Sequence, residues 1–224
     1  MPAALITGGS SGIGLAIAQA LHEDGYGLTL VARGADRLAA AAGELGALAV
    51  AADVSNEDDC ALVNAAHADR FASLDVLVNS AGVGVGGRIE DLATKHWDLQ
   101  LAVNLRGAFL MTRFALPLLK RSHGLVVNVA SIAGTIAAPG LSAYGAAKAG
   151  LIAFTRTLNA EHAAEGVRAT ALCPGFVDTP MAAWTGMAAD EMIQPQDCAE
   201  IVRTLVRLSP RARIPQVVIE RVGS

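Results

Sequence analysis

The sequence is short of charge, of aromatic side chains and of cysteine. Charged residues make up 17% and aromatic residues 4% of its 224 residues, whereas charged residues make up about 25% of a typical soluble domain. With a net charge of −4 and no basic cluster, the chain predicts no nucleic-acid partner and no anionic-membrane partner. The three cysteines, Cys60, Cys173 and Cys198, are odd in number and form no CxxC pair. They indicate free thiols in a reducing compartment rather than a disulfide framework.

Metal-ligand and targeting patterns are also missing. The five histidines are scattered, without an HExxH motif or a Cys/His cluster, so the sequence predicts no metal site. The N-terminus, MPAALITGG, enters an apolar run with no basic region or cleavage site before it, and no signal peptide is predicted. No charge-free apolar stretch reaches the roughly 18 residues that a membrane span requires. We expect a cytoplasmic protein.

Short apolar runs alternate with longer amphipathic stretches along the whole chain. The predicted strands are 3–6, 27–32, 47–52, 74–79, 124–130, 167–173 and 216–220. The predicted helices include 13–24, 56–70 (with a capping box at Ser55 and Asp58), 90–102, 105–121, 142–165 and 196–208. Several strands are apolar at nearly every position, as in a sheet that is covered on both faces. The pattern predicts an α/β fold: a single Rossmann-type, doubly wound parallel sheet of about seven strands with helices on both faces, in one domain over 1–224.

A glycine-rich segment, TGGSSGIG at 7–14, joins the first strand to the first helix. Glycines allow a tight turn and close approach to a diphosphate, while the helix N-terminus supplies amide donors. The glycines alone are equally consistent with a plain turn, and their position between strand and helix favours a dinucleotide site. The predicted contacts are Gly8, Ser10, Ser11, Gly12, Ile13 and Gly14.

The end of the second strand bears on which dinucleotide binds. An acidic residue there would bind the ribose 2′-hydroxyl of NAD, but the sequence has Ala32 and Arg33, and no carboxylate follows until Asp36. Arginine favours the 2′-phosphate of NADP; the alternative is a solvated surface arginine. Asp53, at the end of the third strand, is read either as an adenine contact or as a loop aspartate.

The segment SAYGAAKAG at 142–150 contains one of only two tyrosines and one of only three lysines. Tyr144 and Lys148 are four residues apart and therefore lie on one face of a helix. A fixed ammonium near a phenol favours its ionised form and prepares it for proton exchange at neutral pH. A bare YxxxK pattern is more often packing beside a solvated lysine.

Two further polar residues favour chemistry over packing. Ser131 follows the fifth strand, where its hydroxyl can donate to a developing oxyanion. Asn104 falls in or between helices, although asparagine is a poor helix former; a polar kink with a water held on its amide would explain it.

In chain order, the motifs resemble the short-chain dehydrogenase/reductase family. The matching pieces are TGGSSGIG (7–14), DV (53–54), NSAG (79–82), Asn104, Ser131, YGAAK (144–148) and PGFVDT (174–179). The resemblance covers residues 3 to about 180, and the motifs are specific as a set rather than singly. Three departures accompany it: Ser80 replaces a usual asparagine, the substrate loop at about 180–194 is short, and the C-terminus lacks the common DGG. Trp184, Met181 and Met187 are candidate lid residues, with loop packing as the alternative.

The resemblance implies an NADP-dependent enzyme that interconverts a carbonyl and an alcohol by hydride transfer. Tyr144 would be the general acid and base, Lys148 would lower its pKa and hold the nicotinamide ribose, Ser131 would bind the substrate oxygen, and Asn104 would hold a relay water. Further cofactor contacts would be Val54, Asn79, Ala81, Gly82, Pro174, Gly175, Val177 and Thr179, beside Tyr144 and Lys148. NAD is the second choice of cofactor, and the assembly would be a homodimer or homotetramer.

Three other functions stay open on the sequence. A reductase of ketoacyl thioesters would be a special case of the carbonyl reductase and would require basic residues at the mouth of the site. A catalytically silent dinucleotide sensor would be expected to have lost Tyr144 or Lys148, and the chain keeps both. A dehydratase or epimerase of the same fold would normally have a longer substrate segment.

Overall fold

In the computed structural model, which describes residues 1–223, seven strands form one parallel sheet in the order β3-β2-β1-β4-β5-β6-β7. The strands are β1 Ala3–Thr7, β2 Gly27–Ala32, β3 Leu48–Ala51, β4 Val76–Asn79, β5 Leu125–Val129, β6 Arg168–Pro174 and β7 Gln216–Ile219. All seven predicted strands are therefore confirmed, with β2 matched at both ends and no strand end displaced by more than two residues. The strand order reverses between β1 and β4, and in sheets of this kind ligands bind at such a reversal.

Seven α-helices within the same residues connect the strands. They are α1 Gly12–Glu23, α2 Ala35–Leu45, α3 Glu57–Phe71, α4 Thr94–Leu101, α5 Gly107–Ser122, α6 Ser142–Glu161 and α7 Pro195–Arg207. In the described part of the chain, none of the helices has both the length and the apolar character that a membrane crossing requires.

Helices cover both faces of the sheet, as the apolar runs predict. On one face, Ile17 of α1, Leu38 of α2 and Val202 of α7 pack in one core cluster with Ile6 of β1. On the other face, helices α3, α5 and α6 form a second cluster with Leu5 of β1. Neighbouring residues of β1 therefore enter opposite cores, which explains why the central strands are apolar at consecutive positions.

The helix ends differ from the sequence-based expectation in several places: α4 begins at Thr94 rather than at 90, α6 ends at Glu161 rather than at 165, and the start of α3 and the junction of α4 with α5 also differ. Helix α3 is capped by Asn56, whose side chain accepts from the backbone N–H groups of Asp58 and Asp59; the predicted capping box at Ser55 is wrong, because the Ser55 hydroxyl donates to Asp53 instead. Helices α4 and α5, predicted as separate, are joined by a π-helical turn at Ala102–Arg106. This turn contains Asn104.

Candidate active site

A cleft of about 760 Å³ opens at the carboxyl ends of the central strands. Its floor contains Gly8 and Gly12 from the turn after β1, and one wall contains Ser131, Tyr144 and Lys148. Because β1 and β4 lie on the two sides of the strand-order reversal, the cleft occupies the place where ligands bind in open α/β sheets.

The glycine turn needs its glycines for two reasons. Gly8 and Gly12 have φ angles of +67° and +53°, a region that side chains disfavour. A Cβ on Gly14 would come within 2.4 Å of the Gly8 carbonyl oxygen. Ser11 precedes α1 with extended backbone and makes no side-chain cap, so the first amides of the helix remain available to an anion. Gly8, Ser11, Gly12 and Ile13 line the cleft, whereas the predicted contacts Ser10 and Gly14 are not among the residues that line it.

Thr7, which sequence reasoning missed, fixes the turn to the next strand. Its hydroxyl accepts from the backbone N–H groups of Ser80 and Ala81, both at 3.1 Å. This contact joins the ends of β1 and β4 at the base of the cleft, which Ala81 and Gly82 line. In the sequence, a hydroxyl residue at the last position of an otherwise apolar strand could have indicated this contact.

Asn79 is predicted as a cofactor contact, but its side chain points into the core. Its amide nitrogen donates to Asn128 Oδ1 at 2.8 Å and to Thr112 Oγ1 at 3.2 Å, and Asn128 in turn donates to Thr155. Asn79 is absent from the residues that line the cleft. The side chain thus ties β4 to β5 and α5 beneath the site.

Lys148 is held at the back of the cleft. Its Nζ donates to the Val129 carbonyl oxygen at 2.7 Å and lies 5.5 Å from the centre of the Tyr144 ring. The residue is 4% exposed. Burial lowers the pKa of Lys148 from its ordinary 10.5 to about 8, and the neighbouring Cys173 acts to a smaller extent in the opposite direction. Most Lys148 side chains are therefore charged at pH 7.

The phenol of Tyr144 keeps its proton at neutral pH in this structure. Burial raises the pKa of Tyr144 above its ordinary value of 10, and a hydrogen bond with Ser131 opposes the rise without reversing it. The pKa of Tyr144 is raised on balance because desolvation of the phenolate outweighs the favourable contacts; the lowering of this pKa by Lys148 stays a prediction. A protonated phenol is a ready proton donor.

Ser131 lies between the phenol and the end of β5. Its backbone is extended, and its Oγ accepts from the Ala133 N–H at 3.1 Å, so the hydroxyl caps the short 3₁₀ turn Ile132–Gly134. This bond leaves the hydroxyl hydrogen free to point elsewhere. Ser131 lines the cleft although only 8% of it is exposed.

The side chain of Asn104 holds the backbone that follows β4 at the edge of the cleft. Its Oδ1 accepts from Val83 N and its Nδ2 donates to Val83 O, both at 2.8 Å. A Cβ on Gly82 would lie 3.1 Å from Asn104 Oδ1 and 3.8 Å from Lys148 Nζ, so a glycine lets the three groups come together. The amide is paired with the backbone after β4 and the residue is 1% exposed; the water predicted on it stays a prediction.

The adenine end of the predicted site lies outside the cleft. Arg33 is exposed, and within residues 1–223 its guanidinium is in no ion pair. Asp53 Oδ1 accepts from the backbone N–H and hydroxyl of Ser55 at 2.9 and 2.7 Å. Burial acts to raise the pKa of Asp53, but these bonds and the Arg33 charge lower it. Val54 packs into the core against Gly107. A Cβ added to Gly107 would lie 2.9 Å from the Val54 side chain.

The segment after β6 covers the opposite side. Pro174, Gly175, Val177 and Thr179 line the cleft, and short 3₁₀ turns follow at Pro180–Thr185 and Ala189–Glu191. The segment returns to the sheet through a bridge between Val177 and Ile193. Met181 and Trp184 line the cleft, whereas Met187 lies outside it.

Comparison with known proteins agrees with this geometry. The family profile of short chain dehydrogenases matches residues 2–189, which is most of the chain. The chain belongs to the short-chain dehydrogenase/reductase family. It is accordingly an oxidoreductase, and its sheet is the Rossmann-type sheet of that family.

Individual members of the family resemble the chain over most of its length. An uncharacterized oxidoreductase of Staphylococcus epidermidis is 36% identical over 222 residues, which cover 98% of this chain and 96% of the relative. The D-beta-hydroxybutyrate dehydrogenase of Rhizobium meliloti is 40% identical over 186 residues, 80% of this chain and 72% of that one. A crystal structure of an alcohol dehydrogenase from the archaeon Thermococcus sibiricus, complexed with 5-hydroxy-NADP, matches with a TM-score of 0.94 and 34% identity, covering 100% of this chain and 98% of that chain.

Proposed function

We propose that this oxidoreductase uses NADP(H) to interconvert a carbonyl and an alcohol on a small or medium organic substrate. The observation that carries the proposal is the convergence of three groups on one cleft wall: the Tyr144 phenol, the Ser131 hydroxyl and the Lys148 ammonium. The uncapped N-terminus of α1 lies at the floor of the same cleft. One wall thus offers proton chemistry, while the floor offers an anion site.

The residues present fit a dinucleotide. The glycine turn would hold its diphosphate through the first amides of α1, Lys148 would hold the nicotinamide ribose, and Arg33 would pair with a 2′-phosphate. When bound, the cofactor supplies or accepts the hydride. The structural relative from Thermococcus sibiricus was crystallised with an NADP derivative, which supports the choice of NADP over NAD.

Tyr144 would act as the general acid in carbonyl reduction. Because burial keeps its phenol protonated, the hydroxyl can donate to the carbonyl oxygen as negative charge develops there, a contribution typically of about 10²- to 10⁴-fold. Ser131 would donate a second hydrogen bond to the same oxygen. The resulting phenolate is stabilised by the Lys148 ammonium, which the Val129 carbonyl holds in place. Alcohol oxidation would use the same groups in reverse.

The test is nicotinamide oxidation by the purified protein with NADPH and, separately, NADH. The carbonyl panel would contain ketones, diketones, quinones, sugars and ketoacyl thioesters. Tyr144→Phe is the test variant, and Tyr26→Phe is its matched control, since Tyr26 is the other tyrosine and packs against the core between α1 and β2.

We expect turnover with NADPH that Tyr144→Phe abolishes and Tyr26→Phe retains. Equal activity of both variants would contradict the role of the phenol. Tight NADPH binding without turnover on any carbonyl would favour the dinucleotide sensor instead.

A further inference from the structure

The cleft wall carries almost no charge. Among the described residues that line it, Lys148 alone is ionisable to a full charge at neutral pH, and Lys148 is 4% exposed and already donates to Val129. The polar groups that remain are hydroxyls, the indole N–H of Trp184 and backbone. Away from the N-terminus of α1, where the cofactor diphosphate would bind, an anionic substrate group would therefore lose its hydration without gaining a free counter-charge, which is unfavourable.

The mouth of the cleft is apolar on both sides. On the side of the segment after β6, Phe176, Met181 and Trp184 are 42%, 43% and 69% exposed, and the two aromatic rings meet edge to face at 6.3 Å. On the side of the segment after β5, Ile136 is 60% exposed, and Leu141 also lines the cleft. Large apolar side chains left in contact with water around a concave site are typical of a surface that a ligand covers.

We propose that the substrate of this site is an uncharged carbonyl or alcohol compound with an apolar body. Its oxygen lies at Tyr144 and Ser131, and its body lies between Trp184 and Ile136. Carboxylates and phosphorylated compounds are disfavoured because, among the described residues of the lining, the one cation is Lys148, which is buried and already donates to Val129. This inference rests on the proposed function, because it identifies the substrate class of the same site.

A rival substrate class comes from the comparison with known proteins. The relative from Rhizobium meliloti is named for D-beta-hydroxybutyrate, which carries a carboxylate. If this chain bound such a substrate, an anion would have to be preferred over its neutral ester. The two hypotheses therefore predict opposite orders of reactivity for one matched pair of compounds.

The first experiment compares methyl benzoylformate with benzoylformate as substrates for the NADPH-loaded protein. The two compounds present the same ketone and phenyl ring and differ in the charge of the acid group. We expect kcat/KM for the ester to exceed that for the acid by about 100-fold or more, since the site offers the carboxylate no free counter-charge in exchange for its hydration. An equal value, or a preference for the acid, would overturn the proposal.

Substitution of Trp184 tests where the apolar body lies. We expect Trp184→Ala to raise KM for methyl benzoylformate by about 10-fold with a smaller change in kcat, because the ring would contact the substrate body rather than the reacting oxygen. Leu62→Ala is the matched control, since Leu62 is 61% exposed and belongs to α3, away from the lining. Identical kinetics for the two variants would overturn the assignment of Trp184.

A binding measurement separates this inference from the proposed function. The chain has two tryptophans, so Trp97→Phe leaves Trp184 as the single fluorophore. In the presence of NADP, we expect saturable quenching by methyl benzoylformate and none by benzoylformate at the same concentrations. Quenching by both compounds would contradict the charge argument even if no turnover occurs, whereas absence of turnover with selective quenching would count against the proposed chemistry alone.

Discussion

The ammonium of Lys148 lies 5.5 Å from the centre of the Tyr144 ring and is fixed there by a 2.7 Å hydrogen bond to the Val129 carbonyl oxygen. The two residues are one turn apart on α6, which brings their side chains to one face. Burial of the ammonium charge lowers the stability of the folded state. The same buried charge would stabilise a phenolate on Tyr144. Stability and chemistry are therefore opposed at this position.

We predict that Lys148→Met stabilises the protein while it abolishes turnover. The decrease in the Lys148 pKa from 10.5 to about 8 corresponds to roughly 3 kcal/mol of destabilisation at neutral pH, which the variant would remove. The variant would also lose the hydrogen bond to the Val129 carbonyl, at a cost of about 1 kcal/mol. The melting temperature should rise by roughly 5 °C, and Lys95→Met, at an exposed position of α4, should leave it unchanged.

The pH dependence of the same variant provides a second check. The unfolded lysine binds its proton up to about pH 10.5 whereas the folded one releases it near 8, so stability of the wild type should rise between these values. The advantage of Lys148→Met should shrink over the same interval in thermal melts. An advantage that stays constant throughout that interval would contradict the burial argument.

Arg33 is predicted to set the cofactor preference. Arg33→Ala should raise the Kd for NADPH by roughly 10- to 100-fold, the value of a charge-assisted phosphate contact, and leave the Kd for NADH unchanged. Arg88→Ala is the control, because Arg88 is exposed and pairs with Glu90. Tighter binding of NADH than NADPH by the wild type would refute the role of Arg33.

His67 should make the protein less stable in acid. Burial lowers its pKa, although the Ser73 carbonyl opposes this, and its ring accepts from or donates to Thr29 at 2.8 Å in the core. Because the folded state holds the neutral ring, the stability is present above about pH 6.5 and is lost as the pH falls toward the lower folded value. Urea midpoints should show a steeper acid loss for the wild type than for His67→Gln, while His22→Gln, at an exposed site, should follow the wild type.

Gly14, at the turn after β1, can be tested against Gly43 of α2 as a control. In Gly14→Ala the new methyl would meet the Gly8 carbonyl oxygen at 2.4 Å, and we expect destabilisation of roughly 3 kcal/mol together with weaker NADPH binding. Gly43 lies in α2, and a methyl group added there would have nothing within 4 Å, so Gly43→Ala should stabilise the helix by about 1 kcal/mol. Chemical denaturation of both variants tests the pair, and similar effects would contradict it.

The strands were predictable because each is a short apolar run bounded by polar or glycine residues, and a doubly covered sheet requires that pattern. The position of the cleft wall that contains Ser131, Tyr144 and Lys148 was predictable from strand ends and helix spacing. The local sequence does not reveal which group a polar side chain will hydrogen-bond with. Asn104 pairs with Val83 and Asn79 with Asn128, and both partners are distant along the chain.

The π-helical turn at Ala102–Arg106 was likewise not predictable from the sequence. It adds one residue to a turn in an otherwise continuous helical stretch, and a hydrophobic period does not reveal one such insertion. The cap of α3 is a milder case, since Ser55 and Asn56 are both good capping residues and the structure uses the second.

The most direct measurement is the fate of deuterium placed at both C4 positions of the nicotinamide ring of NADPH, so that hydride transfer from either face carries the label. With methyl benzoylformate as substrate, mass spectrometry of the alcohol should show one deuterium on the carbinol carbon for the wild type and for Tyr26→Phe, and no product for Tyr144→Phe. Deuterium-labelled product at undiminished rate from Tyr144→Phe, or unlabelled alcohol from the wild type, would contradict the account.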